Sequence, residues 1–266
     1  MVSDWTKELF EEHPQLFLGA FEKRLSQTPE EVNDLLGYLE QQGFKPRRLL
    51  DLNCGIGRHS TELAKRGIEV VGTDLSRLYI ETAQKRAEKE GVSDKVRFLV
   101  ADMRRIASVL RSQGPFDGII NLWTSFGFYD DNTNDDILRQ CRKLVRDGGF
   151  FVLDIVNRDW LVRHFQKRGF SRSGEVIILE ERELSLNDSR MYDTWTFLRD
   201  KGDGTFALES EIKLNHRVWS LHELIQMLAR TGWLFRQAHA GFPRSTSDVS
   251  LMEVRQLLVI AERQRD

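Results

Sequence analysis

The spacing of apolar residues changes character several times along this chain. Through residue 46 it is helical: Trp5, Leu9, Phe10, Leu16, Phe17 and Phe21 share one aromatic-rich face. Thr28-Pro29-Glu30-Glu31 reads as a capping box with proline at the first helical position, and Gly43 stands where that helix should stop. From Arg47 onward, short apolar runs alternate with amphipathic segments. Strands are predicted over 49–53, 69–74, 96–100, 118–123 and 150–156. Helices are predicted over 59–66, 77–90 and 134–145, with Gly67, Gly91 and the Asp147-Gly148-Gly149 turn as stops. After a helix over 159–167, three long strands follow at 175–186, 190–199 and 205–219, separated by Asn187-Asp188 and Gly202-Asp203-Gly204. Ser220-Leu221-His222-Glu223 is a second capping box, opening a helix to Thr231-Gly232, and strands over 233–237 and 256–261 complete the pattern.

Strands that alternate with helices pair in parallel, and strands joined by short turns pair antiparallel. The predicted fold is therefore α/β: a doubly wound, mostly parallel seven-stranded sheet with a helical N-terminal extension and an antiparallel β insertion. The expected division is a helical cover over 1–46, a core from 47–170 and 219–266, and the insertion over 171–218.

Composition narrows the function classes. Apolar residues at 40% and charged residues at 30% of 266 describe a globular chain, and no apolar run reaches the ~18–20 residues of a membrane span. The start, Met1-Val2-Ser3-Asp4-Trp5, lacks the layout of a signal peptide. Thirty-nine basic against forty-one acidic residues give a net charge of −2, which disfavours a chain-wide grip on nucleic acid. Cys54 and Cys141 stand far apart, and two thiols suit a reducing cytoplasm. The six histidines never fall into a zinc-binding spacing, so no metal is expected.

The candidate chemistry centres on Leu49-Leu50-Asp51-Leu52-Asn53-Cys54-Gly55-Ile56-Gly57-Arg58-His59-Ser60. A strand enters a glycine-bearing turn that opens a helix, whose unpaired N–H groups and missing Cβ atoms admit a nucleotide-like ligand. Gly55-x-Gly57-x-x-Ser60 approaches the dinucleotide fingerprint, and Asp74 follows at about the ~20 residues expected of a ribose-binding acid. Two features weigh against a dinucleotide. Asp51 precedes the glycines, where a pyrophosphate's charge is unwelcome, and Ser60 replaces the third small residue. An acid there fits a cationic ligand without phosphates.

This segment resembles motif I of the class I S-adenosylmethionine-dependent methyltransferases. Asp51, Gly55 and Gly57 match, while Asn53 takes the place of the motif's first glycine. Val70-Val71-Gly72-Thr73-Asp74-Leu75-Ser76 is similar to the second-strand motif, whose acid holds the ribose hydroxyls, and Val100-Ala101-Asp102-Met103 to the third-strand motif, whose acid meets the adenine amino group. The fourth strand and the Gly148-Gly149 turn follow in register, so the resemblance spans roughly residues 47–157. It implies S-adenosylmethionine as cofactor, held by Asp51, Asn53, Gly55, Gly57, Asp74, Leu75, Asp102, Met103 and Asn121.

For the methyl acceptor, Asn121 and Trp123 are the expected catalytic residues. An amide carbonyl accepts from an amine N–H, and an aromatic face stabilises the cation that forms. Transfer to a nitrogen of a small molecule is the preferred expectation. An RNA base is the alternative acceptor, and a non-catalytic cofactor-binding regulator the third reading. The insertion is expected to shape the acceptor site. Three weaker candidates have blander readings: Asp130-Asp131-Asn132 as a helix cap, His239 and Arg244 as surface loop, and Arg158, Arg163, His164, Lys167, Arg168 and Arg172 as a solvated helix face.

Overall fold

A computed structural model describes residues 4–242 and 250–265. The N-terminal region forms α1 (Trp5–Lys7), running into a π-helical turn (Glu8–Glu12), then α2 (Gln15–Glu22) and α3 (Thr28–Gln41). The core alternates β1 (Arg48–Leu52), α4 (Arg58–Lys65), β2 (Glu69–Asp74), α5 (Arg77–Lys89), β3 (Val96–Val100), α6 (Ile106–Val109), β4 (Phe116–Asn121), α7 (Asp131–Leu144) and β5 (Val145–Val156). After α8 (Arg158–Arg163) come β6 (Arg168–Ser173), β7 (Val176–Ser185), β8 (Arg190–Asp200) and β9 (Phe206–Arg217). The chain then returns through α9 (Leu221–Arg230), β10 (Trp233–Ala240) and β11 (Gln256–Arg263).

Seven strands make one sheet in the order β10-β11-β5-β4-β1-β2-β3, with β11 antiparallel to both its neighbours and the rest parallel. Adjacent residues of a strand enter opposite cores, as the two-residue period requires. Leu50, Ile119 and Phe151 pack with α7 and α9, whereas Leu49, Ile120 and Phe150 pack with α3, α4 and α5. The strand order reverses between β1 and β4, which opens a crevice at their carboxyl ends. Strands β6 to β9 form a separate antiparallel sheet. Its inner residues Ile178, Phe197, Ile212 and Leu214 pack on Trp5, Leu9 and Leu16 of the N-terminal helices.

Several expectations shift. The box at Thr28 does not form: Thr28 is already the first residue of α3, its hydroxyl donates to the Arg24 carbonyl, and Glu31 turns toward α4 instead. The box at Ser220 does form. Strand β4 ends at Asn121, two residues early, because Trp123 and Thr124 both adopt φ +59. Helix α8 is shorter than expected, and β6, with its mostly polar and exposed Arg-Gly-Phe-Ser-Arg-Ser run, is a strand that apolar alternation did not signal. Asp130 caps α7 by accepting from the Thr133 N–H. Arg168 and Arg172 pair with Glu181 and Asp200, so the Arg-rich stretch makes no converging patch. Arg244 lies outside the described residues, and His239 stacks on Tyr38 at 3.9 Å. No described helix is long and apolar enough to cross a membrane.

Candidate active site

The glycine turn after β1 is built by backbone that only a few residue types tolerate. Asn53, Gly55 and Gly57 have φ of +59°, +54° and +69°. Asn is the side-chain-bearing residue best suited to this region, which explains how it replaces glycine here. Its amide donates to the Ser125 carbonyl at 2.8 Å and to the Met103 sulfur at 3.0 Å, tying the turn to two neighbouring strand ends. A Cβ on Gly57 would fall 2.7 Å from Ala83 and Phe98, so its absence lets α4 sit against α5 and β3. A Cβ on Gly55 would fall 2.8 Å from the Phe21 ring, which α2 lays across the turn.

Asp74 ends β2 beneath this turn. Its carboxylate accepts from the backbone N–H of Gly55 and of Ser76, each at 2.9 Å, and burial pushes its carboxyl up to about 6. Asp51 is 2% exposed, accepts from the Ser60 hydroxyl at 2.5 Å, and is raised by burial to about 7. Asp102 lies at the end of β3, where both its oxygens receive the Arg104 guanidinium, which also reaches Asp4 at 2.8 Å. Burial, reinforced by Asp51 and Asp74, drives the Cys54 thiol well above its ordinary value and leaves it inert as a nucleophile.

Two adjoining cavities occupy the crevice. The larger, about 460 Å³ including its mouth and open solvent, is walled by Asn53, Asp74, Leu75, Asp102 and Met103 from the core and by Thr6, Phe10 and Phe21 from the N-terminal helices. The second, about 270 Å³, shares Phe21, Asn53 and Ser125 with the first and adds Asp51, Arg58, His59 and Trp123. Of the expected site residues, Asp51, Asn53, Asp74, Leu75, Asp102, Met103 and Trp123 therefore meet at one crevice, with Gly55 and Gly57 shaping its floor.

Asn121 stands apart. It is fully buried and walls neither cavity; its amide donates to the Leu52 carbonyl at 3.0 Å and, more weakly, to Ser125 at 3.4 Å, leaving its carbonyl oxygen unpaired. This places it beneath the loop after β4, as a support. Trp123 packs against Phe17 and Phe21, and the guanidiniums of Arg58 and Arg24 sit 5.8 and 6.0 Å from its ring. The antiparallel sheet contributes no residue to the walls of these two cavities, and its Trp195 stacks on Phe17 at 5.4 Å.

Sequence reasoning missed a buried cluster beside this crevice. Glu31 of α3 receives the Arg58 guanidinium and faces the His59 ring nitrogen at 2.9 Å, while Arg58 also donates to Thr28. Burial acts to raise the Glu31 carboxyl, but His59 and Arg58 together hold it at about 2. Burial, with Arg58 adding to it, lowers His59 to about 4. The only local signal was Glu31 itself, whose partners lie 27 and 28 residues away.

Residues 49–149 match the family described as a methyltransferase domain. The chain is 28% identical over 135 residues to the ubiquinone biosynthesis O-methyltransferase of Maricaulis maris, covering 51% of this chain and 50% of that one. It is 31% identical over 156 residues to the glycine N-methyltransferase of Rattus norvegicus, covering 56% and 52% respectively. The alignments thus span about half the length of each of these relatives. Among solved structures, an S-adenosylmethionine-dependent methyltransferase from Clostridium acetobutylicum superposes with a TM-score of 0.74 at 15% identity, covering 90% of this chain and 92% of that one.

Proposed function

We propose that the chain is a class I S-adenosylmethionine-dependent methyltransferase and that it transfers a methyl group to a nitrogen of a small molecule. The observation that carries the reading is the Asp74 carboxylate, which holds the glycine turn and at the same time walls the larger cavity. Its oxygens are suited to accept from ribose hydroxyls, Leu75 and Met103 to flank an adenine, and Asp102 to accept from its amino group. Asp51 sets an acid toward the cationic amino-acid end. The cofactor supplies an electrophilic methyl carbon on a sulfonium. The chain's own task is alignment and exclusion of water, for which the cover residues Phe10 and Phe21 are placed. A nitrogen acceptor is favoured because an amine needs no strong base, and the titratable groups of the second cavity are weak ones: His59 is held at about 4 and bonded to Glu31, and Asp51, at about 7, accepts from the Ser60 hydroxyl.

The test is incubation with labelled S-adenosylmethionine against a metabolite extract and, separately, total RNA. Label in an amine of the metabolite fraction is the expected result. Label confined to RNA would move the acceptor to a nucleobase, and label in neither, despite cofactor binding, would favour a regulator.

Two further outcomes are expected. Affinity for S-adenosylhomocysteine, measured by calorimetry, should be flat at pH 8, begin to fall below about 7 as Asp51 takes a proton, and fall more steeply below about 6, where Asp74 does so too. The sign follows from Asp74: ribose hydroxyls donate to its ionised form, so below its raised pKa a proton must leave before the ligand binds. Asn121→Ala should lower turnover roughly tenfold, the scale of a loosened positioning contact, with a smaller loss of cofactor affinity. Affinity collapsing while single-turnover rate survives would instead assign Asn121 to the cofactor.

A further inference from the structure

We propose that Arg58 receives the carboxylate of an α-amino acid, the methionine end of S-adenosylmethionine, an assignment that rests on the methyltransferase reading above. Arg58 opens α4 directly after Gly57, and its side chain is 4% exposed. One end of the guanidinium is engaged: Nη1 donates to the Thr28 hydroxyl at 3.1 Å and to the Glu31 carboxylate. The guanidinium carbon lies 5.8 Å from the centre of the Trp123 ring. Contacts from α3 and from the loop after β4 therefore fix the group. Its other two nitrogens, Nε and Nη2, have no hydrogen-bond partner among the described residues, and neither is sealed from solvent. Arg58 lines the second cavity.

Nε–H and Nη2–H lie side by side on one edge of the planar guanidinium, at the spacing of two carboxylate oxygens, so this edge suits a bidentate carboxylate. A buried cation with unpaired donors is unfavourable, and donors that open onto a cavity are accounted for by an acceptor that enters it. Asp51 walls the same cavity and is close enough to favour the charged guanidinium. An acid and a guanidinium in one cavity select a zwitterion, whose ammonium goes to Asp51 and whose carboxylate goes to Arg58. A lone anion would be repelled by Asp51, and a lone cation by Arg58. A free amino acid offers the same pair of charges. The methionine end is assigned because this cavity shares Phe21, Asn53 and Ser125 with the larger one. A ligand whose adenosine lies along Asp74 and Leu75 thus reaches it with its amino-acid end. Glu31 keeps its hold on Nη1 while the ligand takes the opposite edge, so binding leaves the buried cluster intact.

The experiment is calorimetry on the full chain with three ligands. They are S-adenosylhomocysteine, its decarboxylated analogue, which keeps the amine, and 5′-methylthioadenosine, which lacks the amino-acid end. Wild type is compared with Arg58→Lys and Arg58→Gln. Lysine keeps a charge for Glu31 and glutamine a donor, but neither offers two parallel donors. Wild type should bind S-adenosylhomocysteine about tenfold or more tightly than the decarboxylated analogue. The variants should lose that preference while binding the other two ligands within about threefold of wild type. An equal loss for all three ligands would reduce Arg58 to the structural partner of Glu31 and overturn the proposal, as would a preference kept by the variants or absent from wild type. Glycine added to the proteins loaded with S-adenosylhomocysteine tests the other source. Variants that keep the preference but lose glycine binding would assign the edge to an acceptor's carboxylate, which also overturns it. If neither variant folds, a crystal structure of wild type with S-adenosylhomocysteine decides alone: its carboxylate should lie within hydrogen-bond distance of Nε and Nη2, and a carboxylate held elsewhere overturns the proposal. Failure of all three ligands to bind wild type would overturn the methyltransferase reading instead, so the two failures are distinct.

Discussion

Glu31→Ala is expected to destabilise the fold by about 3–5 kcal/mol, the cost of leaving a buried charge without its partner. Arg58 keeps only Thr28 among its hydrogen-bond partners once Glu31 is gone, and the side chains of Arg58 and Glu31 are 4% and 9% exposed in the intact cluster. For a chain of this size that corresponds to a melting temperature lower by roughly 6–20 °C, read by calorimetry or circular dichroism. Glu31→Gln, which keeps an oxygen acceptor but no charge, should fall between wild type and alanine. The carboxyl of Glu31 is lowered from its ordinary 4.5 to about 2, so its contribution is complete above 4.5 and is lost as pH falls through about 2. A difference between wild type and Glu31→Ala that grows as the solution is acidified would contradict this assignment. A melting temperature unchanged by the substitution would show that the cluster relaxes to water at little cost.

Asp74→Ala is expected to weaken binding of S-adenosylmethionine and S-adenosylhomocysteine by about 1.5–3 kcal/mol, or roughly 10- to 150-fold, the range for hydrogen bonds to a charged group. The substitution also removes the acceptor for the Gly55 and Ser76 N–H groups, so the turn loses its floor as well as its ligand contact. Asp74→Asn separates the two effects. It retains one acceptor oxygen for the turn, loses the charge, and should remove the steeper fall in affinity below pH 6 while leaving the part that Asp51 sets below about 7. A folded Asp74→Ala protein that binds with wild-type affinity would reduce Asp74 to the cap of α5.

The glycine turn and its acids were legible from neighbouring residues alone. Asp51, Gly55, Gly57, Asp74 and Asp102 stand at strand ends and turns, and these are set by local spacing: the two-residue period of a strand, the helix that follows, and the few residues that accept positive φ. The mostly parallel sheet follows from the same alternation of strand and helix, whereas the reversal of strand order between β1 and β4 is read from the structure. Strand β6 escaped because its pairing with β7, and not its own apolar pattern, holds it.

Tertiary structure alone decided which side chains meet. Glu31 satisfies the pattern of a capping residue, yet the approach of α4 offers it a guanidinium and an imidazole, and two charged or polar partners outweigh one backbone N–H. Asn121 has the right type for an amine contact, but packing buries it outside both cavities, with its amide on the Leu52 and Ser125 carbonyls. Asp154 carried no signal in an apolar strand, yet its carboxylate accepts the Trp123 N–H and holds the turn after β4. Local spacing determines where a backbone turns and which residue types the turn admits. The partners of a buried polar group come from distant parts of the chain, and only their packing decides whether that group serves as a cap, a support or a site.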